Sequence, residues 1–182
     1  MGFFSKLLGR KDPAIEDAGR IYSKLMGQAR LGAFYGDGKA PDNYDGRIDI
    51  LTLHIAPILQ ALSDHGVQGE RLSQALFDVM RDDFEVAMRE EGLSDTGIKR
   101  RIKPMMQLFY TRVKTYVAAL RSDTALAELK QAFDEGLLSE VDNEANYSKS
   151  LSLYTIELYG NLKNLSLGQI ALASFDLPAA PT

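Results

Sequence analysis

The stretch SDTGIKRRIKPMMQLFYTRVKTYVAAL, from Ser94 to Leu120, decides the fold class of this chain. Its apolar side chains recur every three or four residues, at Ile98, Ile102, Met105, Phe109, Val113, Tyr116 and Leu120. This spacing places them on one face of an α-helix, and Ser94 or Asp95 can cap its first turn. Pro104 is expected to kink or restart the helix, because proline removes one backbone hydrogen bond.

The same helical period extends over most of the chain, and no stretch alternates with the two-residue period of a strand. The first predicted helix begins at Asp12-Pro13, and the next three span about 47–64, 69–91 and 95–120. A short fifth helix follows Ser122 and Asp123, a sixth runs from Tyr147 to Leu162, and a stub is predicted at 167–173. Pro57 should bend the second helix. The third should bury Leu72, Leu76, Val79 and Val86. The sequence therefore predicts an all-α, single compact domain of about six helices.

The connection LGAFYGDGKAPDNYDG between the first two helices is a loop by composition, yet it carries Phe34, Tyr35 and Tyr44. Large aromatic side chains usually pack against the core, so an ordered aromatic loop is expected. The predicted organisation is a basic amphipathic N-terminal segment (1–12), a helical domain (13–175) and a flexible tail (176–182).

Composition argues for binding rather than catalysis. The chain has 182 residues, 45% of them apolar and 25% charged, a net charge of −4, and no cysteine. Thiolate chemistry and iron–sulfur ligation are thereby excluded, and bulk coating of nucleic acid is disfavoured. The two histidines, His54 and His65, are 11 residues apart, or about 16 Å on one helix. The sequence predicts no catalytic residue, no metal and no cofactor.

The densest cluster of polar side chains is PDNYDGRIDILTLH, from Pro41 to His54. Asp45 is expected to cap the second helix, and Arg47 can reach back to Asp42 or Asp45. His54 is expected to be hydrogen-bonded and partly buried. The segment is interpreted as a capped helix entrance and a recognition surface.

Two basic regions are candidates for anionic partners. Lys99, Arg100, Arg101 and Lys103 put four cations into five residues, and Lys103, Tyr110, Lys114 and Arg121 share one solvent-facing line of that helix. The alternatives are a solvated helix face or a surface for lipid headgroups, ribosomal RNA or an acidic protein. The N-terminal candidates for membrane or anion binding form an apolar face with a basic margin: Phe3, Phe4, Lys6, Leu7, Arg10 and Lys11.

Four segments together resemble a known family: GQAR (27–30), AFY (33–35), PDNYDGRIDILTLH (41–54), and the stretch from Gln74 to Val113. The chain is similar to the ubiquinol–cytochrome c chaperones, which assist assembly of cytochrome b into respiratory complex III. The resemblance implies a helical, non-catalytic protein. Its implied partners are newly made cytochrome b or another membrane-protein client, a small partner protein, and a ribosome near the inner membrane.

The resemblance carries over binding candidates only, at Asp45, Gly46, Arg47, His54, Asp95, Gly97, Lys99 and Arg100. Phe34 and Tyr35 of the aromatic loop are further candidates for client or partner binding. Arg101 and Lys103 join the anion-binding candidates. Because no long transit peptide precedes the domain, we expect a bacterial cytoplasmic protein, peripherally associated with the inner membrane, rather than one on the mitochondrial matrix side. The alternative function is a peripheral membrane- or RNA-binding module without a client, which would use the N-terminal segment and the basic stripe of the predicted fourth helix.

Overall fold

The structure is a computed structural model, and it describes residues 12–142 and 146–181. Within these residues there are seven α-helices and no strand: α1 (Pro13–Ala29), α2 (Tyr44–Leu62), α3 (Gly66–Glu90), α4 (Asp95–Leu120), α5 (Ala125–Asp134), α6 (Tyr147–Leu162) and α7 (Leu167–Ala171). Short 3₁₀ turns follow α1 and α2. The prediction of a single all-α domain of about six helices, with a terminal stub, is confirmed.

Helix α2 is the axis of the fold. From Ile48 to Leu62 every side chain except that of Leu59 is buried, because α1, α3, α4 and α6 all pack around this helix. A helix that is apolar on every side belongs in a core, whereas an amphipathic helix covers one.

The residue that caps the N-terminus of α2 is not the predicted one. Asn43, not Asp45, caps the helix: its side-chain oxygen accepts a hydrogen bond from the backbone N–H of Gly46 at 2.9 Å. The helix therefore begins at Tyr44, and exposed Asp45 lies in its first turn. A Cβ atom at Gly46 would lie 2.1 Å from the Pro41 carbonyl oxygen. Only glycine permits the loop to approach the helix so closely.

The structure differs from the prediction at one position in each of α4 and α3. Helix α4 continues through Pro104 without restarting; Pro104 is exposed, so the backbone carbonyl that loses its partner can be hydrated. In α3, Val86 is 49% exposed. The large buried side chains recur every four residues, at Leu72, Leu76, Met80, Phe84 and Met88. Of the predicted residues, Leu72 and Leu76 are thus buried and Val79 is partly buried.

The segment after α7 is in contact with the body. Phe175 is buried. Gln28 Nε2 donates a hydrogen bond to the Pro178 carbonyl at 2.9 Å, and Asn161 Nδ2 donates to the Asp176 carbonyl at 3.2 Å. Two residues of the predicted flexible tail (176–182), Asp176 and Pro178, thus have contacts with α6 and α1 that the sequence analysis did not include.

His54 is fully buried at the centre of a hydrogen-bonded chain. Its Nδ1 lies 2.7 Å from the Ile50 carbonyl, which can only accept, so Nδ1 carries the proton. Nε2 is therefore the acceptor, and the Tyr154 hydroxyl, 2.7 Å away, donates to it. Gln28 Nε2 in turn donates to Tyr154 at 3.1 Å. The chain connects α2, α6 and α1.

An ion pair connects α2 to α4. Arg112 Nε lies 3.4 Å from Asp49 Oδ1, with both side chains largely shielded from solvent. Burial raises the pKa of Asp49, and the charge of Arg112 opposes that rise. A Cβ atom at Gly136 would lie 1.9 Å from Arg112 Nη1 and 2.8 Å from the Ala132 carbonyl. The Arg112 guanidinium therefore occupies space that is free only because residue 136, just after α5, is a glycine.

We expect Gly136→Ala to destabilise the fold by about 1–3 kcal/mol, because the methyl group displaces Arg112 and leaves Asp49 buried without its counter-ion. Urea unfolding followed by circular dichroism measures this. Gly19→Ala in α1 is the matched control: nothing lies within 4 Å of its Cβ position, so alanine should stabilise by up to about 1 kcal/mol. Equal effects at the two positions would contradict the packing argument.

Burial lowers the pKa of His54 to about 4 from its ordinary 6.5. Between these values the unfolded chain binds a proton that the folded protein does not, so stability is complete above pH 6.5 and falls as the pH drops toward 4. The slope attributable to His54 is at most about 1.4 kcal/mol per pH unit. Unfolding free energies measured across this interval should show it.

The His54→Gln variant should lose this part of the pH dependence, whatever its stability at neutral pH. His65→Gln is the matched histidine control and should retain this part, because it leaves the buried His54 in place. Identical slopes in the wild type and the His54→Gln variant would be the contrary result.

Candidate functional site

The described candidates from the sequence lie mainly at one end of the bundle, where α2 begins, α3 ends and α4 begins. The Arg101 guanidinium lies 4.6 Å from the ring centroid of Tyr44, which joins α4 to the start of α2. Arg89 Nε lies 3.8 Å from Asp95 Oδ1, which joins the end of α3 to the start of α4. Asp45, Asp95, Lys99 and Arg100 are exposed there.

A cavity of about 310 Å³ opens at this end. We call it the α2-entrance pocket; its walls include Met26, Tyr35, Tyr44, Arg47, Phe84 and Glu91. Two of the sequence candidates, Tyr35 and Arg47, thus face one space. The lining combines apolar side chains with opposite charges, which suits an amphipathic peptide better than a purely apolar one.

Arg47 and Tyr35 are held in place within this pocket. Arg47 Nε lies 2.7 Å from Asp42 Oδ1, as the sequence analysis anticipated, and its guanidinium lies 5.8 Å from the Tyr35 ring centroid. The Tyr35 hydroxyl donates to the Ala29 carbonyl at 2.6 Å. Burial raises the pKa of Tyr35 to about 12, so it remains a neutral phenol. These contacts give the loop a defined surface.

Phe34 and His54 lie beneath this surface. Both are completely buried, with ring centroids 5.2 Å apart in an edge-to-face contact. The Tyr147 hydroxyl donates to the Phe34 carbonyl at 3.1 Å. In this conformation neither side chain reaches a partner directly; they fix the aromatic loop on which Tyr35 is presented.

The basic patch, residues Lys99, Arg100, Arg101 and Lys103, has a distinct electrostatic character. Its four side chains are exposed, and none has a carboxylate within 4.0 Å in the part of the chain that the structure describes. Arg101 alone is engaged, over the Tyr44 ring. Three cations are therefore available to an anionic partner.

The N-terminal candidates, Phe3, Phe4, Lys6, Leu7, Arg10 and Lys11, lie outside the described residues. The described chain begins at the opposite end from the basic patch. Asp12 Oδ1 bonds Arg71 Nη2 at 2.7 Å, whereas Asp95 pairs with Arg89. Arg71 and Arg89 are about 27 Å apart along α3 at 1.5 Å per residue.

A second concavity was missed by the sequence analysis. The α3–α4 groove, also about 310 Å³, lies between α3 and α4 above α2, and its lining is mainly apolar: Leu59, Phe77, Met80, Phe109, Tyr110 and Val113. Phe77 and Tyr110 stack with centroids 4.9 Å apart, and Tyr110 is 53% exposed. The only signal in the sequence was an aromatic residue, Tyr110, on an otherwise basic, solvent-facing line.

Both concavities are suited to non-covalent binding. Neither has a histidine in its lining. Residues 12–142 and 146–181 contain no group of three side chains placed to hold a metal ion. None of the described helices is both long and apolar enough to cross a bilayer.

Comparison with known proteins agrees with this architecture. A search of curated proteins finds no significant match. The crystal structure of the Cbp3 homolog from Brucella abortus is similar over 98% of each chain, with 26% sequence identity and a TM-score of 0.78. The family model for ubiquinol–cytochrome c chaperones matches residues 37–177, which include every residue that lines the α3–α4 groove. This chain therefore belongs to the ubiquinol–cytochrome c chaperone family.

Proposed function

We propose that this protein binds newly made cytochrome b during assembly of ubiquinol–cytochrome c reductase, and that the α3–α4 groove receives an apolar segment of that client. Family membership supports the chaperone role. The observation that carries the choice of site is the stacked pair Phe77–Tyr110 beside an apolar cavity. No chemical change in the client is required.

The groove has the composition that a helix-binding site needs. Its floor, which includes Leu76, Met80 and Phe109, is buried, so client side chains that enter it leave water without disturbing the fold. Polar side chains such as Ser73 and Gln74 lie at its margin. An amphipathic helix can place its apolar stripe in such a groove.

The size of the groove favours reversible binding. Fully burying one large apolar side chain contributes about 1.5–3 kcal/mol, and a space of about 310 Å³ lies at the lower end of ligand-pocket volumes. One or two client side chains therefore give modest affinity. A chaperone that must release its client into a complex benefits from that limit.

The other end of the bundle provides a place for orientation. We propose that Tyr35, Asp45, Arg47 and Asp95 contact the client or a small partner protein, while the basic patch lies toward the anionic surface of the bacterial inner membrane. Lipid headgroups attract such clusters of cations, each by about 1 kcal/mol near the surface. The protein would then hold its client beside the bilayer.

A second candidate function rests on the basic patch alone. Lys99, Arg100 and Lys103 lack carboxylate neighbours among the described residues, unlike Arg47 and Arg71, which are paired. A module that only binds membranes or RNA would need these cations and no groove.

We expect Tyr110→Glu to weaken client binding by about tenfold or more, because it removes the stack on Phe77 and places a charge at the groove mouth. In a strain lacking the gene, this variant should restore less assembled cytochrome b than the wild-type protein at equal message level. A photo-crosslinking residue at position 110 should capture cytochrome b.

The matched control is Leu172→Glu, since Leu172 is 66% exposed just after α7 and lines neither the groove nor the pocket. It should restore wild-type levels. Full complementation by a folded Tyr110→Glu protein would rule out the groove as the client site.

For the second candidate, we expect replacement of Lys99, Arg100 and Lys103 by alanine to reduce flotation with anionic phospholipid vesicles, and to do so less at high salt because ions screen the attraction. Arg101 is retained because it contacts Tyr44. Replacement of Lys149 and Lys163, two exposed lysines of the α6 region, is the control. Unchanged flotation would exclude a membrane role for the patch, and loss of RNA retention alone would indicate RNA.

A further inference from the structure

We propose that residues 1–11 of this chain bind the α3–α4 groove, as an internal occupant that a client must displace. Displacement by a client presupposes the proposed function; the contact between segment and groove does not.

Residues 1–11 join the folded body at Asp12, which is in contact with α3. The Asp12 carboxylate caps α1 by accepting from the Ala14 N–H at 3.0 Å, and also bonds Arg71 Nη2 of α3 at 2.7 Å. Arg71 is adjacent in sequence to Glu70, which lines the groove. The preceding residues therefore start beside the helix that forms one groove wall.

The segment is long enough to cross that helix. An α-helix with its side chains is about 10–12 Å in diameter, and eleven residues span up to about 36 Å when extended. The chain can pass over the exposed face of α3 within its first few residues before Asp12. The remaining residues then reach the groove with length to spare.

The apolar residues of the segment match the groove lining. Phe3, Phe4, Leu7 and Leu8 lie within six residues, and the groove offers the partly exposed rings of Phe77 and Tyr110. Aromatic side chains pair favourably in stacked or edge-to-face geometry. An apolar segment tethered this close also binds at high effective concentration.

The charges are complementary as well. Lys6, Arg10 and Lys11 flank the apolar residues. At the groove, Glu70 is the one charged residue of the described lining, while, beyond the effect of burial, the charges of Asp78 and Arg81 act on the pKa of Tyr110 in opposite directions. Opposite charges at the margin favour the basic segment and fix its orientation.

A second cavity close to Asp12 is a poorer match. It has a volume of about 280 Å³, lies between α1, α3 and α7, and includes the carboxylates of Asp12 and Asp17. Both are already paired, with Arg71 and Arg20. Phenylalanine side chains gain less from so polar a site than from the α3–α4 groove.

The contact is testable by paramagnetic relaxation, because the chain has no cysteine. A Gly2→Cys substitution in the full-length protein gives one site for a nitroxide label. We expect the label to broaden the amide signals of Phe77, Tyr110 and Val113, and expect Phe3→Ser/Phe4→Ser to abolish the broadening. Absence of broadening at the groove, or stronger broadening at Gln68 and Gly168 beside the second cavity, would overturn the proposal. So would broadening at the groove that occurs only when anionic vesicles are present.

Competition is tested with a short leucine–alanine peptide as the probe. If the segment occupies the groove about nine-tenths of the time, the Phe3→Ser/Phe4→Ser protein should bind the peptide about tenfold more tightly than the wild type. Equal affinity would contradict displacement. A third outcome separates the two proposals: the peptide binds, Tyr110→Glu abolishes that binding, and the nitroxide label does not contact the groove. That outcome would reject residues 1–11 as the occupant and would leave the groove as the proposed client site.

Discussion

The burial of α2 on all sides is the constraint from which the rest of the structure follows. A helix surrounded by protein has to compensate its polar side chains internally. In α2, His54 is hydrogen-bonded to Tyr154, and the charge of Asp49 is paired with that of Arg112 at 3.4 Å. The first interaction joins α2 to α6 and the second joins α2 to α4, so together they fix the positions of both helices relative to α2. The α3–α4 groove exists because α3 and α4 both contact α2 yet leave its Leu59 region partly uncovered.

Buried hydrogen bonds are stable only where water cannot compete for them, and the aromatic loop helps to exclude water from those of His54. Phe34, His54 and Tyr154 form a mutual edge-to-face cluster with centroid separations of 5.2–5.3 Å, which surrounds the histidine hydrogen bonds with apolar surface. Water is thereby excluded and the neutral imidazole is retained. A loop that sequence composition marks as irregular is thus part of the core, and the proposed recognition surface above it is supported by that core.

The sequence predicted the helices and the family well, because helical periodicity is local and the motifs are ordered along the chain. It predicted the cap of α2 wrongly, since Asn43 and Asp45 are equally good capping residues and only the approach of Pro41 to Gly46 decides between them. Val86 was misassigned because its α3 spacing was consistent with two neighbouring faces. The groove was not predictable: Phe77 and Tyr110 come from different helices, and their stacking depends on the three-dimensional packing.

The distribution of methionines has a consequence for oxidation chemistry. With no cysteine in the chain, thioethers are the sulfur groups open to peroxide attack. Met80, Met88, Met105 and Met106 are shielded in the core, whereas Met26 is partly exposed in the wall of the α2-entrance pocket. Among the described thioethers, sulfoxide formation would therefore begin at Met26. A polar group would appear at that pocket while the α3–α4 groove kept its unoxidised lining.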